Sequence, residues 1–442
     1  MIETELRDEL HRAAGRVVAS DGLRGVVEHR IDVHDRRARR ARQGLAVGVL
    51  AFVAVVGAVA VAASGNGVRS VPPAGPAMPR TAEPGWQVIQ PAPIGPRFQH
   101  AAVWTGSELV VLGGYLAGSE AAPGAAAYDP AAGTWRTIAP PPGDLRSPLA
   151  AWTGTELLVL DAAGALHAYD PVADTWTDRA RSGFAVVADS MMGAVWTGRE
   201  LVVVASQDVT DQRVAQLSEA YDPATDTWRE LPAVPFALTF GDTVWAGDRV
   251  VVTGDSGAGG RGAPHLELWS LDPDTPGAEW EALPASPLLD PAHRSYGFAA
   301  WTGTELVVGG GTGYVDDGTG RATVVPRHDV AAYDPAAGAW RSLPPAPAAV
   351  AGQDRYGEVW TGTELMLPIR SAPIGAGDGW LLLDPATGEW RAITPEPLGN
   401  RSDTPAVWTG HEVLVWSGEP SATDQNAPTC CVPDGGGDSF TP

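Results

Sequence analysis

From Trp86 onward the chain is a succession of short apolar runs separated by clusters of Gly, Pro, Asp and Ser, and the runs recur in a fixed pattern. One recurring element opens with Trp-Thr-Gly-x-Glu and continues into a Leu- and Val-rich run. It begins at Trp104, Trp152, Trp196, Trp301, Trp360 and Trp408, with a degenerate copy at Trp245-Ala246-Gly247. The second is a Tyr or Leu followed by Asp-Pro, with a Trp six residues after the Asp, as in Tyr128-Asp129-Pro130 to Trp135; further copies end at Trp176, Trp228, Trp340 and Trp390. The copy ending at Trp280 is longer by two. Thr-Gly supplies one tight turn and Asp-Pro with a following Gly or Asp supplies another, so each unit predicts two β-hairpins. Four strands repeating about every fifty residues predict the blade of a β-propeller.

The ends of this region complete each other. Trp86 is a closing Trp with no opening partner before it, and Trp408 is an opening Trp with no closing partner after it. The final residues Asp438 to Pro442 align with Ala126 to Pro130, so the chain stops where a fourth strand would begin, and residues 86–90 supply that strand. Closure by strands from both ends leaves no free sheet edge. The expectation is an all-β, seven-bladed propeller over residues 86–442.

This pattern resembles the kelch-repeat propellers, the galactose-oxidase-like group, on four features: an Arg shortly before strand one, glycines ending strand two at Gly113-Gly114 and Gly309-Gly310, an aromatic in strand three and a closing Trp. The double Gly is absent from most blades, and Leu271 and Leu383 replace the strand-three Tyr. The resemblance implies a seven- or six-bladed ring that usually binds a partner and in a minority of members is an enzyme.

The region before the propeller divides into three. Residues 1–43 hold 10 Arg and 8 acidic residues, with Ile2, Leu6, Leu10, Ala13 and Val17 at helical spacing, which predicts an amphipathic helical tail. Residues 44–64 predict a transmembrane helix: Gly44 to Ala63 is twenty positions without a charge, enough to cross a hydrocarbon core of roughly 30 Å. Arg36, Arg37, Arg39, Arg40 and Arg42 precede it, so the positive-inside rule places the tail in the cytoplasm and the propeller outside a bacterial plasma membrane, as a single-pass protein. A cleaved signal sequence is the rival, since Ala60-Val61-Ala62 is a small-residue site, but both the leader and the apolar stretch are long for one. Residues 65–85 form a Pro/Gly-rich linker.

Charge narrows the partners. Setting aside the tail leaves 20 Arg and 45 acidic residues, a balance of −25, which disfavours nucleic acid and anionic lipid. Cys430 and Cys431 are too few for a disulfide framework.

In a propeller the one-to-two and three-to-four turns share a face, here uniform. The two-to-three connections lie opposite and vary: from opening Trp to strand-three aromatic is 17 residues between Trp152 and Tyr169 and 32 between Trp301 and Tyr333. Binding specificity is expected on that variable face. Arg97, Arg146, Arg294, Arg355 and Arg401 enter strand one there and could converge at the channel mouth as forks for a carboxylate, with His100, His293, Tyr296, Asp354, Tyr356 and Asp403 beside them. The alternative is that these Arg are structural. Of the 17 Trp, fourteen hold the framework positions and predict core packing; Trp269, Trp380 and Trp416 lie outside them. The repeated Glu108, Glu156, Glu200, Glu305, Glu364 and Glu412 predict a satisfied turn or a contact between blades.

No catalytic residue, metal site or cofactor is expected. Copper oxidases of similar fold use a Tyr-Cys cofactor, but both Cys here sit together in a late loop, and the nine His are scattered. Asp316-Asp317-Gly318-Thr319-Gly320 is the one loop with Ca²⁺-like chemistry, though such turns usually bind nothing. The function expected is a membrane-anchored extracytoplasmic module binding a protein or carbohydrate ligand. Two alternatives remain open: a carbohydrate-active isomerase or lyase at the channel mouth, by fold analogy alone, and a transmembrane sensor whose tail meets a cytoplasmic protein.

Overall fold

The computed structural model describes residues 85–442 apart from 117–119, 162, 184–191, 209–213, 236–240, 256–265, 289–293, 295–296, 317–321, 351–357, 370–378, 394–396, 398–400, 403 and 421–435. The expected tail, membrane span and all but the last residue of the linker lie outside the described residues, as does the Cys430-Cys431 pair. Among the described residues no helix is long and apolar enough to cross a membrane.

The described chain is all-β and forms seven four-stranded antiparallel sheets. Blade one is Ala101–Trp104, Leu109–Leu112, Ala125–Asp129 and Thr134–Ile138, and each later blade through the sixth repeats that order, strand one innermost. The seventh takes Ala406–Trp408, Val413–Trp416 and Gly437–Thr441 from the C-terminal end and Gly85–Ile89 from the other. Gly85 pairs with Thr441 and Ile89 with Gly437, so the first described strand seals the last sheet. Trp86 packs on Phe440 at 5.1 Å between ring centroids, matching the 5.0 Å of Tyr128 on Trp135 in blade one.

Local sequence explains each turn. Thr105 accepts the Glu108 NH on its hydroxyl at 3.1 Å and donates the same hydroxyl to the Glu108 carbonyl at 3.1 Å, while Gly106 takes φ +96°, which a side chain would resist. At the other hairpin Asp129 Oδ1 accepts the Ala131 and Ala132 NHs.

Seven buried clusters hold the ring together, one at each seam between neighbours. The seam that closes it joins Ile89, Leu414 and Trp416 of blade seven to Leu109, Val111 and Tyr128 of blade one. Every closing Trp from blade one to blade six also crosses a seam by hydrogen bond. Its indole NH donates to a carbonyl just past strand four of the preceding blade, at 2.7 to 2.9 Å: Trp135 to Gln90, Trp176 to Ala139, Trp228 to Ala180, Trp280 to Pro232, Trp340 to Pro284 and Trp390 to Pro344. The ring therefore fills the wedge with an aromatic and satisfies the loose strand end with the same residue. Trp380 and Trp416, outside the framework, are buried as strand alternation allows. Trp269 is half-buried and donates to Glu267.

Candidate functional site

The uniform face is locked by charge. Glu108 pairs with Arg136, Glu156 with Arg179, Glu200 with Arg229, Glu305 with Arg341 and Glu364 with Arg391. Each pair runs from the first turn to strand four of the same blade, or in blade two to Arg179 just past it, so these five Glu serve their own blade; crossings to the next come from their Arg partners, Arg229 to the Pro273 carbonyl and Arg341 to that of Pro385. Where the hydrogen bond to Glu is the largest influence, as for Arg136, Arg341 and Arg391, the guanidinium is held above its ordinary pKa. Blade four differs. Ala246 replaces the turn Thr, and Arg249 in the turn pairs with Glu281 on strand four, a reversal of both charges.

On the opposite face, two of the five candidate Arg are buried clamps. Arg97, fully buried, donates its guanidinium to the carbonyls of Gly95, Gly113, Gly124 and Pro123 at 3.0 to 3.2 Å. Arg294, 3% exposed, donates to the Gly310 carbonyl and to Asp329. Burial alone would raise the Asp329 pKa, but the hydrogen bond and charge of Arg294 outweigh it and hold the carboxyl below its usual range. Both Arg stand seven residues before their opening Trp and tie the segment entering strand one to the connection leaving strand two. Arg401 shares that offset and lies in the short strand Arg401–Ser402, which pairs with Glu419–Pro420 of that same connection. Arg146, six before its Trp, is half-exposed and paired with Asp144 at 2.9 Å. His100 is fully buried, its ring edge-on to Trp416 at 5.4 Å. His293, Tyr296, Asp354, Arg355, Tyr356 and Asp403 lie outside the described residues, as does the end of the Asp316 loop. Among the described residues no group of three or more His, Cys, Asp or Glu is placed to hold a metal ion.

The inner rim carries two carboxylates that the sequence reading did not single out. Two residues before the opening Trp, the seven blades have Ala102, Ala150, Ala194, Thr243, Ala299, Glu358 and Ala406, so Glu358 stands alone among small side chains. Asp242, one position earlier in blade four, accepts the Ala299 NH of blade five at 2.9 Å. Blades four and six thus each present an acid beside strand one of blade five. Burial, and then the charge of Asp242, raise the Glu358 carboxyl well above the usual carboxylate range. A raised folded-state pKa means folding binds a proton, so stability falls as pH rises above the unfolded value. Glu358→Gln is therefore expected to stabilise the protein at pH 7 and to lose that advantage near pH 4, read as the difference in melting temperature from the parent at the two pH values.

A His between two acids, in blade two, comes nearest to catalytic geometry. His167 Nδ1 lies 2.8 Å from Asp178 Oδ1, and Nε2 lies 3.9 Å from Asp161. Gly143 closes over it at φ +84°, with a Cβ there only 2.9 Å from Asp161 Oδ2 and 3.1 Å from His167 Nε2, so backbone occupies the space a substrate would need.

The sequence matches no described protein family and no curated protein. Among solved structures it is similar to YjhT, at 15% identity over 69% of this chain and 99% of that one, with a TM-score of 0.49. The count of seven blades rests on the strand pairing of this chain itself.

Proposed function

We propose that the chain is a single-pass membrane protein that displays a kelch-like propeller outside a bacterial cell as an interaction module for a protein or carbohydrate. The observation that carries this reading is the contrast between the two faces. One is built of repeated turns that, outside the seam between blades four and five, are tied by Glu–Arg pairs and by Asp-to-backbone hydrogen bonds. On the other, the connections differ from blade to blade: blade two passes from Leu160 to Leu166, whereas blade five inserts a hairpin, Thr312–Asp316 with Ala322–Pro326, between its second and third strands. A rigid ring that varies its connections on one side is a scaffold for recognition. The anchor rests on the charge-free stretch at 44–63 and the Arg cluster before it.

Two measurements test it. Protease added to intact spheroplasts is expected to digest the propeller and spare residues 1–43; protection of the propeller, or recovery of the protein without membranes, contradicts the topology. A glycan and acidic-peptide array probed with the full chain is expected to give a hit that Arg401→Ala weakens and that Arg146→Ala removes without lowering the melting temperature. A hit indifferent to both variants, or none from folded protein, overturns the variable face as the binding surface for these ligands.

A further inference from the structure

The seam between blades four and five opens on the uniform face into a groove of about 590 Å³, lined by Trp301, Asp248, Glu305, Asp334 and Pro335 among others. Blade four, which borders it, is the blade with the reversed charges. At the preceding seam two Arg of blade three reach the Asp-Pro turn of blade four. Arg229 donates to the Pro273 carbonyl at 2.8 Å, and Arg199 lies 3.5 Å from Asp274. Counting from the Trp landmarks, the matching residues of blade four are Glu281 and Asp248. Neither can donate to the Pro335 carbonyl, which corresponds to that of Pro273. Where blade three presents two Arg, blade four presents acids at both places, Glu281 paired with Arg249 of its own blade and Asp248 exposed.

We propose that this groove binds an arginine side chain of a partner polypeptide. The half-buried Trp301 indole offers a π face, and Gly247 beside it carries no side chain over the ring: a Cβ there would lie 3.6 Å from Trp301 Cζ2. Asp248 is exposed, and its carboxylate has no partner among the described residues. Asp334 uses Oδ1 for the Ala336 and Ala337 NHs, and no hydrogen bond reaches Oδ2 among the described residues. With the Pro335 carbonyl these form a set of acceptors around an aromatic plane. A planar fork of donors fits that set better than a point charge, as Arg229 demonstrates one seam away, where it spans Glu200 and the Pro273 carbonyl. The acidic surface of the propeller draws such a partner in. This groove lies on the face opposite the variable connections and is a second site.

The test titrates the full chain by calorimetry with acetyl-Gly-Arg-Gly-amide, the same peptide with citrulline, and cellobiose. The arginine peptide is expected to bind saturably, about fivefold or more tighter than its uncharged citrulline counterpart. Asp248→Asn with Asp334→Asn is expected to weaken it by a similar factor; the carboxamide oxygen introduced by Asp334→Asn still accepts both turn NHs, so the fold is retained. Asp129→Asn makes the same charge change at the equivalent turn of blade one and is expected to leave binding unchanged. The exchange Arg249→Glu with Glu281→Arg restores the common blade pattern, supplies an internal donor to Pro335 and is expected to abolish binding in a protein at least as stable. Equal weakening by Asp129→Asn, binding that survives the exchange, or a response to cellobiose and not to the arginine peptide would overturn the proposal.

Discussion

Replacing Arg97 with Met is expected to lower the unfolding free energy by about 3 kcal/mol or more, measured by urea denaturation. Burial pulls the Arg97 pKa down to about 10, so the group remains charged at neutral pH although no carboxylate pairs with it among the described residues. Four carbonyls carry that charge, and the guanidinium also lies 6.0 Å from the Trp416 ring centroid. Met restores the apolar stem but leaves four acceptors unmet, that of Gly113 buried and the other three partly buried, each lost bond to the charged group costing on the order of 1 kcal/mol. The backbone of the same residue latches the ring. Ser417 Oγ accepts the Arg97 NH at 2.7 Å and donates to the Arg97 carbonyl at 2.8 Å, while the Gly418 NH donates to that carbonyl at 3.0 Å, so blade seven grips the segment entering blade one. Arg97→Lys should recover little, because a single ammonium cannot reach acceptors on three separate segments. A loss below about 1 kcal/mol for Met would show that the clamp is dispensable.

The second large effect is acid sensitivity set by His100. Burial first, and the charge of Arg97 second, lower its pKa to about 3. Neither ring nitrogen has a hydrogen-bond partner among the described residues. The unfolded chain binds a proton near pH 6.5 and the folded chain does not until about pH 3, so stability is lost as pH falls through that window. The full window corresponds to about 5 kcal/mol at 1.36 kcal/mol per pH unit. His100→Leu removes the titration and two unmet polar atoms together. Its stability relative to the parent is expected to improve by about 3 kcal/mol between pH 7 and pH 4. An advantage independent of pH would mean that His100 is protonated in the folded protein. Comparing variant with parent matters because Asp174 and Asp226, each holding an NH of the preceding blade and a Tyr hydroxyl, also weaken in acid. Hydrogen bonding lowers the pKa of both, so their contribution is present above the unfolded carboxylate range and fades below it.

The blades and their closure were legible in the sequence because the turns are chemically specified. Thr-Gly and Asp-Pro mark where hairpins reverse, the paired Trp mark the strands between them, and the alignment of Asp438 to Pro442 with Ala126 to Pro130 places the last strand. The Arg were harder to read. A guanidinium has five donors, and sequence does not say which carbonyls stand within reach; offset from the opening Trp was the available signal, with Arg97, Arg294 and Arg401 at one register and Arg146 and Arg355 outside it. Glu358 was visible as the one acid in a column of small residues, but its meaning depends on Asp242 meeting it from another blade. The exchange at Arg249 and Glu281 was likewise on the page as letters. Only the seam geometry shows that it withdraws donors from a neighbour.

The measurement that tests the closed ring most directly is amide hydrogen exchange by mass spectrometry on the full chain. Strands near a chain end ordinarily fray and exchange quickly. Here Gly85–Ile89 and Gly437–Thr441 pair with each other and seal the last blade. Peptides covering the two segments are predicted to exchange together, Gly85–Ile89 as slowly as the outer strand Thr134–Ile138 and Gly437–Thr441 as slowly as the third strand Ala125–Asp129 of blade one. Exchange of either segment within seconds, while the inner strands stay protected, would contradict closure.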